Sequence, residues 1–335
     1  MSAESKKTVL YIYPRFSSFV KNDFESLKKE FNVVPFECKI EKKIFPALST
    51  LLKEKIFLLK NLRKADAIIC WFADYHSFLP ALFSRIFRKK FFIINGGYDV
   101  MYIPEINYGS FNSPFRSFIT KYSLQRATCN LAVSPNLIDE AKKRVPKGKY
   151  KLLPTAHDSV AFNCNTKKEN IIITVAGVSN LQRFKIKGLD RFVELAHITP
   201  ELEFVIIGSD DSIFEFIPDR PKNLRTVSHI PFEELTNWYS RAKFYAQLSR
   251  SEGLPSAVCE AMLSGCIPVG IKIGGIPFAI NKFGILADDW NPELIKEEII
   301  KNMSNSDLGK DARSHIMNTF NSDLREKAFN ELINN

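Results

Sequence analysis

No apolar run in the 335-residue sequence is long enough to span a bilayer. Residues Met1 to Lys7 are polar, with no hydrophobic stretch behind them. Both absences predict a chain that is neither exported nor transmembrane. The six cysteines (Cys38, Cys70, Cys129, Cys164, Cys259 and Cys266) include no C-x-x-C pair, and several sit in apolar runs. They read as reduced core residues of a cytoplasmic protein rather than disulfides or metal ligands. No G-x-G-x-x-G follows the first strand candidate, so a dinucleotide-binding first unit is unsupported. Recognition-helix, zinc-finger and RNP signatures are missing as well, which argues against nucleic acid as a partner. There is no convincing Ser-His-Asp or Cys-His arrangement for nucleophilic catalysis. No internal repeat or low-complexity segment interrupts the chain.

What remains describes an ordinary globule of two domains' length. Hydrophobic residues make up 45% and charged ones 25%, enough apolar material for a normal core. The net charge of +10 is unevenly placed. Residues 1–150 hold 26 Lys and Arg against 13 Asp and Glu, whereas residues 151–335 hold 21 against 24. The first half is therefore expected to face something anionic, a membrane surface or a phosphate-bearing molecule.

Along that half, short apolar runs alternate with helical patterns. Thr8 to Tyr13 reads as a strand, followed by helical spacing of Phe19, Phe24, Leu27 and Phe31. Asn32 to Phe36, Ala67 to Phe72, Phe91 to Ile94 and Asn130 to Val133 are further strands. Glu41 to Lys64 is a basic amphipathic stretch with two readings. It can lie on an anionic membrane, or pack one face onto the sheet with its lysines in water, as every α/β crossover helix requires. The strands end in polar loops, Ala73-Asp74-Tyr75-His76-Ser77 and Asn95-Gly96-Gly97-Tyr98-Asp99, which a parallel sheet aligns along one edge. Asp74, His76, Tyr98 and Asp99 are the candidates for binding there. His76 reads equally well as a capping or half-buried histidine. The polar stretch Asn163 to Asn170 is a plausible linker, placing the boundary between domains at residue 163.

The second half alternates cleanly: strands at Ile171 to Ala176, Glu203 to Gly208, Leu224 to His229, Phe244 to Leu248 and Ile267 to Ile271, with helices between. That pattern predicts a doubly wound parallel sheet covered on both faces. Its most informative segment runs from Leu248 to Gly270. An apolar strand enters a loop carrying Glu252, Gly253, Leu254 and Pro255. A helix containing Glu260 follows and stops at Gly265. Pro255 suits a first helical turn, and Gly265 suits a stop. The two acids then flank the crevice at the carboxyl end of the strand, where a helix N-terminus offers N–H groups to an anion.

Glu252-x7-Glu260, with Gly253-Leu254-Pro255, Ala261-Met262 and Gly265-x-x-Pro268-Val269 in order, resembles the retaining, nucleotide-sugar-dependent transferases of glycosyltransferase family 4. The resemblance implies the GT-B fold: two Rossmann-like, doubly wound parallel-sheet α/β domains facing a central cleft. The acceptor domain would span 1–163 and the donor domain 164–335, with a C-terminal helix able to cross back to the first. It implies an enzyme without cofactor, moving a sugar from a nucleotide-diphosphate sugar to a hydroxyl of a glycan or lipid-linked acceptor. Surface polysaccharide or glycolipid assembly is the expected setting, in the cytoplasm, with peripheral contact at the inner face of an anionic membrane.

By the same resemblance, Glu260 holds the ribose hydroxyls, a role suited to an acceptor-only carboxylate facing a diol. Glu252 contacts the donor sugar, and the backbone of Gly253, Leu254, Pro255 and Ser256 faces sugar and phosphate. No D-x-D metal pair is present; Asp210-Asp211 and Asp288-Asp289 are adjacent acids. Fixed cations must then stabilise the leaving diphosphate, so no metal is expected. Gly177 to Gly188 resembles the family's G-R-x(n)-K-G loop, with Lys187 matching its lysine. Val178 stands where the arginine is usual, leaving Arg183 or Lys185 to replace it. Two departures stand out: Pro14-Arg15-Phe16-Ser17-Ser18 replaces a glycine-rich acceptor loop, and Phe278 follows Gly274-Gly275 where an acid is common. A binding-only partner subunit is the alternative reading, and an inverting transferase or nucleotide-sugar epimerase a third.

Overall fold

A computed structural model describes residues 6–39, 44–164 and 167–335, with the backbone alone at 44–47. The chain forms two compact units, residues 1–156 with 322–335, and residues 157–321.

Six parallel strands carry the first unit: β1 (Thr8–Tyr13), β2 (Asn32–Glu37), β3 (Ala67–Trp71), β4 (Lys90–Asn95), β5 (Cys129–Ala132) and β6 (Tyr150–Leu152). They lie in the order β2-β1-β3-β4-β5-β6. Every residue of β3 is buried, as a strand with helices over both faces requires. The connections are α1 (Ser18–Glu30), α2 (Ile44–Asn61), α3 (Tyr75–Ile86), α4 (Pro114–Arg126) and α5 (Pro135–Arg144). Strand order reverses between β1 and β3, the place where an open sheet binds its ligands. Phe72, directly after β3, has φ +68, uncommon for a bulky residue. Its ring fits only because position 96 is glycine; a β-carbon there would lie 2.3 Å from it.

Of the basic stretch read at 41–64, Glu41 to Lys43 lie outside the described residues. α2 buries Leu58 completely, and Leu62 just beyond it is also buried. It leaves a second apolar row, Leu48, Leu52, Ile56 and Leu59, in water. Packing one face onto the sheet therefore does not account for all of its hydrophobic residues. Glu54 is fully buried instead, with neither carboxyl oxygen in a hydrogen bond of good geometry among the described residues. Burial pushes its pKa well above the usual carboxylate range, because the charged form is poorly solvated there. The folded-state pKa is the higher one. The site therefore favours folding below the ordinary glutamate range and disfavours it increasingly as pH rises past that range. Glu54→Gln should leave stability near pH 4 almost unchanged and raise it at about pH 7 by roughly 1–3 kcal/mol. Thermal melts at the two pH values check this, and an equal Tm for both proteins at neutral pH would show the carboxyl to be ionised and well solvated.

The second unit repeats the architecture with β7 (Glu169–Val175), β8 (Glu203–Ile207), β9 (Leu224–Val227), β10 (Ala242–Gln247), β11 (Ile267–Ile271) and β12 (Ile285–Ala287). The order is β12-β11-β10-β7-β8-β9, all parallel, with the reversal between β7 and β10. Helices α6 (Leu181–Ile186), α7 (Leu189–Ile198), α8 (Phe232–Arg241), α9 (Ser256–Leu263), α10 (Ile276–Ile280), α11 (Pro292–Lys301) and α12 (Ser306–Thr319) connect and cover the strands. Its core joins Ile172, Phe192, Phe204, Phe244, Val269 and Ile299 into one apolar cluster.

The last helix, α13 (Ser322–Asn334), belongs to the first unit and packs on α1. Arg325, only 2% exposed, binds both carboxyl oxygens of Asp23, with Nη2 at 2.7 Å from Oδ2. Its Nη1 donates to the Leu153 carbonyl at 2.8 Å and to that of Pro154. The Trp71 indole N–H donates to the same carboxylate at 3.0 Å. Among the described residues, no helix is long and apolar enough to cross a membrane.

Candidate functional site

In the second unit the reversal of strand order sets the β7–α6 loop beside the β10–α9 loop, and the residues singled out from sequence in this unit lie on these loops or on α6 and α9, the helices that follow them. Ser209 braces the first of them. Its hydroxyl donates to the Ala176 carbonyl (2.6 Å) and accepts the Val178 N–H (3.1 Å). Asn180 caps α6 by accepting the Arg183 N–H at 2.8 Å, and Phe184 anchors this short helix in the core. Lys187 ends it, and Gly188 turns the chain into α7 with φ +67. A β-carbon at 188 would lie 2.0 Å from the Leu248 carbonyl oxygen, so only glycine allows the turn between α6 and α7 to touch the start of the β10–α9 loop.

That touch places Lys187 Nζ 2.8 Å from Glu252 Oε1, with both side chains half-buried or deeper. The same oxygen accepts from Gln247 Nε2 at 2.9 Å. Gln247 is held in turn by the Tyr245 hydroxyl, which donates to its Oε1 at 3.0 Å, and by Ser249, which accepts from its Nε2 at 2.7 Å. Arg250 locks the corner from outside, its guanidinium paired with both oxygens of Asp190 at 2.8 and 2.7 Å. A third loop closes over Glu252. Gly275 N–H donates to its carbonyl at 3.2 Å, and Gly274, at φ +58, leaves room for that carbonyl where a β-carbon would sit 2.2 Å away.

Glu260 lies in the second turn of α9, half-buried, accepting the Tyr239 hydroxyl at 3.1 Å. Burial raises its pKa above the ordinary carboxylate value, and burial pushes the Tyr239 phenol up, so that phenol stays a donor. Both Glu252 and Glu260 lie near enough to Tyr245 to raise its pKa further, after burial. No side chain caps α9 behind Pro255, so its first turn presents amide groups to an incoming anion. Leu254 and Pro255 are buried, while Gly253 and Ser256 are partly exposed.

Lys187 and Glu252 are thus brought into contact, with Glu260 on the adjoining helix. Arg183 and Lys185 are not drawn in. Both are exposed on α6 with no carboxylate partner among the described residues. The adjacent acids take separate structural roles: Asp210 accepts the Ser212 N–H at 3.0 Å, Asp211 accepts the Thr226 hydroxyl, and Asp288 pairs with Lys272.

The residues expected at the edge of the first sheet divide in two. Asp99 is buried and accepts four hydrogen bonds, from Ala73, Gly96 and Gly97 N–H and from the Asn95 amide. His76 is buried, and burial lowers its pKa. Its Nε2 lies 2.6 Å from the Trp71 carbonyl, which can only accept, so that nitrogen carries the proton. The Asp99 carboxylate and His76 Nε2 are thus each engaged with neighbouring groups of the same edge. Asp74 and Tyr98 remain accessible and share Arg116, which is 3.2 Å from Asp74 and donates to the Tyr98 hydroxyl at 2.6 Å. Sequence reasoning missed Arg116, Tyr239 and Gln247. Two sit in helices where one arginine or tyrosine carries no periodic signal, and Gln247 closes a strand that is apolar apart from Lys243.

Residues 161–318, nearly all of the second unit and just under half of the chain, match the family model described as glycosyl transferases group 1. No curated protein matches the chain in sequence. Solved structures match in fold over almost the whole length. The sucrose-phosphate synthase of Thermosynechococcus elongatus superposes with a TM-score of 0.79, 14% identity and 98% of either chain covered. HepE of Anabaena, solved with UDP, gives 0.74, 13% identity, and 98% of this chain and 99% of that one. A glycosyltransferase of Rickettsia africae gives 0.74, 16% identity and 98% of each. The chain therefore has the GT-B fold of two Rossmann-like units, and the unit that carries Lys187, Glu252 and Glu260 is the one that matches the group 1 glycosyl transferases.

Proposed function

We propose that this protein is a retaining glycosyltransferase of family 4, moving a sugar from a nucleoside-diphosphate sugar to a hydroxyl acceptor without a metal ion. The single observation carrying this reading is the 2.8 Å pair of Lys187 and Glu252 at the strand-order reversal, beside the uncapped start of α9. A leaving diphosphate needs positive charge as the bond to the sugar breaks. Lys187 and the α9 amides supply it, with Arg183 or Lys185 swinging in from α6. Glu260, steadied by Tyr239, takes the ribose hydroxyls. Glu252, steadied by Gln247, takes hydroxyls of the sugar. A β-carbon at 177 would meet nothing nearer than the Gly208 carbonyl at 3.6 Å. The fold itself does not demand glycine there, and close approach of a ligand does. HepE has been solved with UDP and with UDP-glucose, which supports a donor of this class.

The sugar–phosphate bond breaks on the same face at which the acceptor oxygen bonds to the sugar, and the acceptor proton passes to the departing phosphate oxygen. No protein base is then required. The setting we favour is surface polysaccharide or glycolipid assembly in the cytoplasm, with the basic first unit at the inner membrane face. A binding-only partner subunit is the second reading, favoured by Val178 in the place of the usual arginine.

Titration calorimetry with UDP, GDP and ADP, followed by donor-hydrolysis assays, tests the proposal. One nucleotide should bind, and Glu260→Ala should weaken it by about 10–100-fold, the worth of hydrogen bonds to a charged group. Unchanged affinity in that variant would remove Glu260 from the donor site. Binding without turnover would favour the partner-subunit reading, and an inverted anomeric product would end the retaining one.

A further inference from the structure

The first unit exposes more hydrophobic surface than a folded unit leaves to water without a reason. Between α2, α3 and α4 lies a cavity of about 530 Å³, walled almost entirely by apolar groups including Leu52, Tyr75, Phe78, Phe115 and Phe118. That volume is in the range of small-molecule sites. Leu52, Phe115 and Phe118 are 59%, 66% and 63% exposed, values at which large apolar side chains gain little from folding. The unburied row of α2 runs along the same side.

Beside one end of the cavity, outside its lining, stands a charged residue. Tyr75 and Phe115 line the cavity, their rings 6.1 Å apart. Arg116, the residue after Phe115, lies over the Tyr75 ring at 5.0 Å and reaches Asp74 and Tyr98. Those two residues follow β3 and β4, at the carboxyl edge of the sheet. Lys55 is on the rim, and Lys53, Lys60 and Lys121 are exposed on the same two helices. The Tyr75 end of an apolar trough thus lies beside a fixed guanidinium, with Lys55 on its rim and further lysines on the surrounding helices. Its shape and charge complement a molecule with a long hydrocarbon chain and an anionic head.

We infer that this trough holds the hydrocarbon chain of a lipid acceptor whose phosphate-bearing head is placed at Arg116. The word acceptor rests on the transferase reading above; the binding itself does not. A recessed channel with a guanidinium beside one end fits a single chain better than a flat bilayer surface, which needs no such end.

Titration calorimetry on the full chain, with probes below their micellar concentrations, tests the inference. Farnesyl phosphate and an acyl lysophosphatidate share the required chemistry and separate an isoprenoid from an acyl source. Glycerol phosphate supplies the head alone. At least one chain-bearing phosphate should bind 100-fold or more tighter than glycerol phosphate, and the tighter of the two names the source. Leu52→Asp and Phe118→Asp, at exposed positions, should each weaken it by about 30-fold, the loss of one large apolar contact. Arg116→Gln should weaken the phosphate probe while leaving dodecyl maltoside, a neutral-headed chain, unaffected. Affinity for whichever of UDP, GDP and ADP the parent binds should be unchanged in all three variants, which shows the chain folded and separates the outcomes. Parent-like lipid binding by the aspartate variants would overturn the trough, as would equal binding of glycerol phosphate. Binding to anionic vesicles with none to either single-chain probe would overturn it in favour of a bilayer-facing surface. Failure of the parent protein to bind any of UDP, GDP and ADP would overturn the transferase reading and leave the trough standing.

Discussion

Lys187→Ala should lower turnover of the purified protein by about 10²–10³-fold, the usual effect of deleting one fixed group that stabilises developing charge. The ammonium is positioned before any ligand arrives. Gly188 lets the α6–α7 turn meet the β10–α9 loop, and Glu252 holds Nζ at 2.8 Å. Charge fixed beforehand needs no reorganisation as the diphosphate departs. The side chain is 28% exposed, so its removal leaves no sizeable cavity, and Glu252 keeps the Gln247 amide as a partner. Thermal stability should therefore change by less than about 1 kcal/mol, as for other half-exposed ion pairs. Initial rates at saturating donor, beside circular-dichroism melts, separate the two effects. Turnover within a few-fold of the parent would show that the leaving group is stabilised elsewhere.

Arg325→Met should destabilise the first unit by about 3–5 kcal/mol, the cost of removing one partner from a buried ion pair. Asp23 would be left buried with only the Trp71 N–H, and the Leu153 and Pro154 carbonyls would lose their donor. The lowest thermal transition should fall by roughly 10 °C for a unit of this size. Adding Asp23→Asn should recover part of the loss, since an uncharged amide tolerates that site better. If the single variant melts like the parent, solvent reaches the pair and α13 is not held by it.

How much of this was legible in the sequence differs by element. Thr8 to Tyr13 and Ile267 to Ile271 coincide with β1 and β11, because short apolar, β-branched runs are strong signals where nothing local competes. The loop between β10 and α9 was readable because proline and glycine mark both ends of the helix. Helix α6 was not. Six residues contain too little periodicity, and the Asn180 cap that starts it resembles ordinary loop composition. The contact between Lys187 and Glu252 was not readable either, since the residues are 65 positions apart and only the sheet order brings them together. His76 and Asp99 show the reverse difficulty. A polar residue at a strand end can serve a ligand or the backbone, and only burial and hydrogen bonding tell which.

Because α13 completes the first unit, the polypeptide leaves that unit at residue 156 and returns to it at 322. On the ribosome, the first 156 residues emerge without the guanidinium that neutralises Asp23. The second unit is a continuous segment that needs no residue beyond 321, whereas the first draws on residues 322–335 for its buried ion pair. A nonsense mutation just upstream of Ser322 would thus damage the opposite end of the polypeptide, leaving the second unit whole.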